Sequence, residues 1–142
     1  MAPSITGQLV VTLTVTDLRG SADWYRELLT AREHSYVDDD GVLAQVTLTE
    51  PTSLLQLCLV SHPDSSRDAF TELRPGLDHL EFLVADRADL DSWSERLDRL
   101  GIPHAGVKEP AYTSNAMLTF RDPDNIQLEF FWSAPPPTTR GG

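Results

Sequence analysis

Apolar and polar residues alternate one by one along much of this chain, a pattern typical of strands that bury one face. In the run 9–16, for example, Val11 and Leu13 fall on one side while threonines fall on the other. Helical spacing of apolar residues replaces the alternation at 21–29 and at 87–100. The pattern therefore predicts a protein of strands that is interrupted by two helices.

The predicted elements follow the same order, βαβββ, in each half of the chain. The predicted strands are 9–16, 33–37, 42–49, 54–60, 77–84, 103–108, 115–121 and 125–132. Trp24 and Trp93 occupy matching helix positions 69 residues apart, and the segments 55–58 and 126–129 match at a separation of 71. Such a repeat predicts a tandem duplication of one supersecondary unit.

The repeat divides the chain into two modules joined by a polar segment. That segment contains prolines and charged residues, which predicts a linker. The last ten residues, SAPPPTTRGG, are rich in proline and glycine and predict a flexible tail. The predicted boundaries are 1–8 for an N-terminal lead, 9–60 for the first module, 61–76 for the linker, 77–132 for the second module and 133–142 for the tail.

Two such modules predict an α+β fold. Each module is expected to form a curved mixed sheet whose apolar face is covered by its own helix, so that the tandem modules surround a concave cup. Alternation sorts the side chains of each strand between the helix and the cup. The residues expected to face the cup are Val10, Thr12, Thr14, Gln56, Cys58 and Val60 in the first module, and His79, Glu81, Leu83, Gln127, Glu129 and Phe131 in the second.

The composition is that of an ordinary globular domain with a strongly acidic charge. The net charge is −11 and the pI is about 4.5. An acidic surface repels phosphate groups, so nucleic acid is not an expected partner. No apolar run approaches the ~20 residues that cross a bilayer, and the first residues lack the layout of a signal peptide. Together with the single Cys58, these features predict a cytoplasmic protein without an internal disulfide.

Several short motifs are distributed over both modules. They are TLTVTDL at 12–18 with Trp24-Tyr25 after it, DHLEF at 78–82, Leu100-Gly101, and FRDPDNIQLE at 120–129, which is the most specific. Its segment RDPDN at 121–125 is predicted to be a tight turn, since proline fixes φ and Asp and Asn bind backbone groups. In these motifs the chain resembles the vicinal oxygen chelate superfamily, which includes glyoxalase I, bleomycin-resistance proteins, fosfomycin-resistance enzymes and extradiol dioxygenases. The resemblance covers residues 9–132.

The resemblance implies a cup formed by paired modules, within one chain or across a homodimer, and we expect a homodimer. Members that use a metal take its ligands from the first and fourth strands of their modules. In this chain those positions are Val10, Cys58, His79 and Glu129. Valine cannot bind a metal, whereas a metal enzyme usually has three protein ligands. His79 and Glu129 supply two. Cys58 is a candidate third ligand that suits zinc, and Glu81 is a substitute ligand or a general base.

Structural roles compete with ligand roles at these positions. His79 and Glu129 also fit a hydrogen-bonded pair without a metal, and Cys58 fits a small buried side chain. Trp24 and Trp93 are expected in the core. The other aromatic residues either complete the core or stack on a flat ligand. The candidate ligand-binding residues are Thr12, Gln56, His79, Tyr112, Phe120, Gln127, Glu129, Phe131 and Trp132.

Two functions remain open. The first is a small-molecule-binding protein, similar to bleomycin-resistance proteins, that sequesters an antibiotic or an aromatic metabolite without a metal or other cofactor. The alternative is a lyase, isomerase or dioxygenase that uses a divalent metal such as zinc at His79 and Glu129. A version of this enzyme without metal uses Glu129 or Glu81 for acid–base catalysis. The missing ligand at Val10 favours the first function.

Overall fold

The structure is a computed structural model, and it describes residues 1–136 of the chain. Every predicted strand and helix is present, and the order βαβββ occurs twice, so the predicted α+β fold is confirmed. The elements are β1 (Val11–Thr14), α1 (Leu18–Leu29), β2 (Arg32–Val37), β3 (Leu43–Thr49), β4 (Gln56–Val60), β5 (Leu80–Leu83), α2 (Arg87–Arg99), β6 (His104–Lys108), β7 (Asn115–Arg121) and β8 (Gln127–Ser133).

Most element starts differ from the predicted positions by one to three residues. Two of these differences have a clear local reason. Helix α1 begins at Leu18 rather than at residue 21 because Asp17 caps it. The Asp17 carboxylate accepts a hydrogen bond from the Gly20 N–H at 3.0 Å. Strand β4 begins at Gln56 rather than at residue 54, because Leu54 has a left-handed φ of 61° that interrupts the extended chain.

Replacing Asp17 by alanine is therefore expected to lower the free energy of unfolding by about 1 kcal/mol, since one amide at the start of α1 loses its acceptor. Urea denaturation followed by circular dichroism measures this change. Asp39→Ala, in the exposed turn after β2, is the matched control, with an expected change of less than about 0.5 kcal/mol. Equal losses in the two variants would show that the cap does not stabilise the helix.

The C-terminal end of the described chain extends the last strand by one residue. Strand β8 continues to Ser133, which the sequence assigns to the tail. The N–H of Ala134 then donates to the carbonyl of Ser114 at 2.8 Å. Residues 134–136 have no regular structure, and residues 137–142 of the tail predicted to be flexible lie outside the described residues.

Each half of the chain forms its own four-stranded mixed sheet, and neither sheet closes on itself. The strand orders are β1-β4-β3-β2 and β5-β8-β7-β6. Strand β1 is parallel to β4 and β5 is parallel to β8, whereas the other neighbours are antiparallel. The chain divides into a first unit, Met1–Asp68, and a second unit, Ala69–Gly142, and each contains one sheet and one helix. The predicted linker, 61–76, includes this division.

In the first unit, α1 packs on the apolar face of the sheet. The helix contacts β3 and β4, and its Tyr25 and Leu28 are fully buried. Trp24 is half-buried, and its ring meets that of Tyr25 edge-on at a centroid distance of 4.8 Å. Trp24 thus borders the core rather than lying at its centre.

In the second unit, α2 covers the corresponding face. The helix contacts β6, β7 and β8, and its Leu90 and Leu97 are buried. Trp93 stacks on Phe130 of β8 with ring centroids 4.0 Å apart. Leu128 is buried on the same side of β8, as the alternation predicts. Neither helix within residues 1–136 is both long and apolar enough to span a membrane.

The run 121–125 is a tight turn, as predicted. One carboxylate oxygen of Asp122 accepts hydrogen bonds from the N–H groups of Asp124 and Ile126, both at 2.8 Å. Asn125 has a left-handed φ of 70°, and its side-chain amide donates to the carbonyl of Phe70 at 3.0 Å. The turn sets the start of β8, because the N–H of Asp122 also binds the carbonyl of Ile126 at 3.0 Å. These bonds account for the charged residues of the run structurally.

Candidate functional site

The polar candidate residues of the second unit lie on the face of the second sheet opposite α2. Because side chains alternate along a strand, residues next to the buried Leu118, Leu128 and Phe130 point away from the helix. Cross-strand register then places Glu81 beside Glu129. We call this surface the helix-free face of the second unit, and it carries Glu81, Leu83, Met117, Thr119, Arg121, Gln127, Glu129 and Phe131.

His79 lies at one edge of the helix-free face, surrounded by carboxylates. Its Nε2 is 2.8 Å from Oε1 of Glu81 and 3.2 Å from Oε2 of Glu129. Its Nδ1 is 2.5 Å from Oδ1 of Asp78. We call these four residues the His79 cluster. The sequence predicts His79 and Glu129, with Glu81 as a substitute ligand or a general base, and the structure adds Asp78 to them.

The two central groups of the cluster hold protons more tightly than usual. Hydrogen bonds to Glu81 and then to Asp78 raise the pKa of His79, because the carboxylates stabilise the imidazolium. Burial raises the pKa of Glu129, which is only 5% exposed. A hydrogen bond and the charge of Glu81 raise that pKa further, whereas His79 acts in the opposite direction. The cluster therefore favours an added positive charge.

Three donors of the cluster fit a divalent cation. One ligand atom each from His79, Glu81 and Glu129 lie within 4.8 Å of one another. Three protein donors are typical of a catalytic metal site, and a mixture of imidazole and carboxylate suits zinc, manganese or iron. A bound cation would supply Lewis-acid chemistry. Within the second unit, the third donor is thus Glu81.

Cys58, the third ligand that the sequence suggests, belongs to the first unit. It is buried, and its Sγ is 3.5 Å from Oγ1 of Thr47. The register aligns Thr12, Cys58 and Thr47 across three strands of the first sheet. Gln56 and Val10 are exposed on the same side. This row offers hydroxyls, an amide and a thiol but no charge, so it corresponds in position, not in chemistry, to the His79 cluster.

An open cavity of about 490 Å³ lies in the second unit, and its lining does not include the residues of the His79 cluster. Thr119 is the register partner of Glu129 and Arg121 is that of Gln127, which connects the cavity wall to the cluster. The guanidinium of Arg121 is held by both carboxylate oxygens of Glu72, at 3.0 and 3.2 Å. The residues that line the cavity are Pro103, His104, Ala105, Thr119, Phe120, Arg121 and Gln127. The volume falls in the range of small-molecule sites.

The structure corrects the interpretation of two aromatic candidates as ligand-stacking residues. Phe120 is only 3% exposed, and its ring stacks on Phe130 at a centroid distance of 5.4 Å, so the ring completes the core on the side of α2. Trp132 follows Phe130 by two residues and is paired with the buried Ala116, which places it on the side of α2. Alternation along the strand is the reason in both cases.

Two other aromatic candidates lie away from the core. Phe131 is half-buried on the helix-free face, where the register aligns Leu83, Phe131 and Met117 in an apolar row next to Glu81 and Glu129. Tyr112 is 90% exposed in the loop between β6 and β7. The structure therefore brings together His79, Glu129, Gln127 and Phe131 from the candidate ligand-binding residues.

The sequence pattern alone does not identify Asp78 and Thr119 as neighbours of the site. Asp78 could have been found from the sequence in another way, because it directly precedes His79 and contacts its ring. Thr119 borders Glu129 only through the pairing of β7 with β8, which no periodicity reveals.

Comparisons with known proteins show the family and the fold. The model of the Glyoxalase/Bleomycin resistance protein/Dioxygenase superfamily matches residues 7–130. A glyoxylase/bleomycin resistance protein/dioxygenase domain from Frankia sp. EAN1pec is 37% identical, with a TM-score of 0.79 over 92% of this chain and 94% of that one. No curated protein matches the chain.

More distant solved structures share the fold alone. The fosfomycin resistance protein FosX from Listeria monocytogenes, complexed with Mn(II) and sulfate, is 21% identical with a TM-score of 0.65, covering 92% of this chain and 95% of that one. Integron cassette protein HFX_CASS4, from the mobile metagenome of the Halifax Harbour sewage outfall, is 19% identical with a TM-score of 0.67, covering 90% and 99%.

Proposed function

Because this chain belongs to the glyoxalase/bleomycin resistance protein/dioxygenase superfamily, we propose that it binds a small molecule on the helix-free face of its second unit. The function is sequestration of the resistance type, with an antibiotic or an aromatic metabolite as ligand. The observation that carries this proposal is the cavity of about 490 Å³, whose lining residue Thr119 is the register partner of Glu129 in the His79 cluster. It combines a ligand-sized space with a few convergent polar groups, as small-molecule sites do.

Two surfaces next to the cluster suit different parts of a ligand. On one side, Thr119 and Gln127 line the cavity with hydrogen-bonding groups. On the other side, Phe131 and Met117 continue the face as an apolar row. A flat apolar ligand that covers this row removes apolar surface of the ligand and of the protein from water, which favours binding. Its polar groups then meet carboxylates at the centre.

The charge of the site favours neutral or cationic ligands. The cluster contributes three carboxylates and one imidazole, and the whole chain carries a net charge of −11. A negative field of this kind attracts cations and repels anions during association. Direct contacts of the ligand with Glu81 and Phe131 do not require a metal, so sequestration does not depend on one.

An enzyme of the same superfamily is the second candidate, and Glu81 is the observation that favours it. The preference for a metal-free site rests on a count of two donors, whereas Glu81 places a third within 4.8 Å of His79 and Glu129. The raised pKa of Glu129 also suits a general acid or base. FosX is a resistance protein described with Mn(II). A lyase, isomerase or dioxygenase reaction at these residues is the alternative.

The proposal also covers the assembly of the protein, its location and the class of its partner. A homodimer is the assembly expected from the resemblance, and a cytoplasmic location is proposed with it. The acidic charge supports a small molecule rather than nucleic acid as the partner.

Ligand binding is tested by titrating polycyclic and cationic antibiotics and aromatic metabolites into the protein in buffer with a chelator, while tryptophan fluorescence is recorded. Trp93 is a suitable reporter because it stacks on Phe130, which in turn stacks on Phe120, one of the residues that line the cavity. For a ligand that binds, Gln127→Ala is expected to weaken affinity roughly three- to tenfold, which corresponds to one lost hydrogen bond of about 1 kcal/mol.

The matched control is Gln8→Ala in the exposed N-terminal lead, which should leave affinity unchanged. Absence of binding across a broad panel would contradict sequestration. Equal affinities of the wild type and Gln127→Ala would contradict the proposed position of the ligand.

A further inference from the structure

The parallel pairing of β5 with β8 places two carboxylates next to each other, and a bound cation would reduce the repulsion between them. Glu81 and Glu129 are direct register partners, so two carboxylates lie side by side on one face of the sheet. Like charges placed opposite each other destabilise a sheet. Glu129 is also 5% exposed, so water screens its charge poorly. The Nε2 of His79 lies within 3.2 Å of both carboxylates and marks the point where a positive charge contacts all three groups.

Asp78 contacts the other side of the His79 ring, and this contact orients Nε2 toward Glu81 and Glu129. Nδ1 of His79 is 2.5 Å from Oδ1 of Asp78, so the Asp78 carboxylate accepts the Nδ1 proton. Nε2 lies within hydrogen-bond distance of Glu81, so a cation at this position would take the place of the Nε2 proton. A carboxylate behind a histidine ring is the usual device that fixes the tautomer of a metal-binding histidine. The Asp78 carboxylate can therefore orient the His79 ring for a cation at Nε2.

We propose that Glu81 is the third protein ligand of a divalent cation, which the second unit holds by itself through Nε2 of His79 and one carboxylate oxygen each of Glu81 and Glu129. The resemblance implies ligands from the first and fourth strands of paired modules, and Val10 and Cys58 occupy those places in the first unit. Glu81 is not at such a position. It lies two residues after His79, and the register brings it to Glu129. Sequestration of a small molecule does not require this cation.

The test measures cation binding directly, apart from any activity. Full-length protein is treated with chelator, dialysed, and titrated with MnCl₂ and with ZnCl₂ in a calorimeter. The wild type is expected to bind one ion per chain. Glu81→Gln and Glu81→Ala are each expected to bind it at least about tenfold more weakly, as loss of a ligand requires. Circular dichroism confirms that the variants are folded.

Two control variants show whether the loss of cation affinity is specific to Glu81. Cys58→Ser removes the competing third ligand and should leave affinity unchanged. Glu95→Gln removes one carboxylate from the exposed surface of α2 and tests whether loss of charge alone weakens binding. The proposal is overturned if the wild type binds neither ion, if both Glu81 variants bind like the wild type, or if Cys58→Ser or Glu95→Gln shows an equal loss. Because the small-molecule titration contains chelator, failure of cation binding is distinct from failure of sequestration.

Discussion

Replacing Phe130 by alanine is expected to lower the free energy of unfolding by about 3–5 kcal/mol. The ring is 1% exposed and contacts three other aromatic rings. It stacks on Trp93 at 4.0 Å and on Phe120 at 5.4 Å, and it meets Phe82 at 5.6 Å. Alanine leaves a cavity that these large rings cannot fill without moving, so both transfer and packing energy are lost. Urea denaturation followed by circular dichroism measures the loss.

The neighbouring residue on the same strand provides a matched control. Phe131 lies on the helix-free face and is only half-buried. Phe131→Ala is therefore expected to cost less than about 1.5 kcal/mol, because part of its ring is already in water. A loss in Phe131→Ala as large as that in Phe130→Ala would show that the two faces of β8 are wrongly assigned.

Replacing Glu129 by glutamine is expected to raise the free energy of unfolding by about 2 kcal/mol at pH 8 in buffer with a chelator. The substitution removes a buried charge that faces Glu81, and such a charge costs about 1–3 kcal/mol when it is poorly compensated. The side-chain amide of glutamine still offers a carbonyl oxygen that can accept a hydrogen bond from His79. Thermal and urea denaturation at several pH values measure the gain.

The sign of the pH dependence follows from the two raised pKa values. Burial raises the pKa of Glu129 above 4.5, and the hydrogen bond to Glu81 raises that of His79 above 6.5. Each group therefore stabilises the fold fully below its unfolded pKa, and that stabilisation is lost as the pH rises through the folded pKa. The gain from Glu129→Gln should be small at pH 4 and grow toward pH 8. A gain that is independent of pH, or a loss at pH 8, would contradict the assignment of Glu129 as a poorly compensated buried charge.

Much of the fold follows from the sequence because its signals are periodic and duplicated. Alternation identifies every strand, and the match of Trp24 with Trp93 identifies the repeat. The element starts depend on single contacts. The cap formed by Asp17 and the left-handed φ of Leu54 move two of them, and neither is a periodic signal.

The site is only partly predictable from the sequence. Alternation shows which face of a strand a residue lies on, but it does not show which residue of the neighbouring strand is its partner. The positions of His79 and Glu129 on the first and last strands of a module follow from the sequence pattern. The role of Glu81 depends on parallel pairing with one particular register, which alternation leaves open. The aromatic character of Phe120 and Trp132 suggests ligand stacking, but their phase on β7 and β8 places both on the side of α2.

The proposed functional site is the helix-free face of the second unit, around the His79 cluster. The most direct test of this proposal is a set of amide NMR spectra of ¹⁵N-labelled protein during titration with the tightest ligand of the panel. The largest shifts are expected at residues 79–83, 119–121 and 127–131, which form the cluster and its neighbouring surfaces. Saturable binding that leaves the amides of 79–83 and 127–131 unchanged would contradict the proposal.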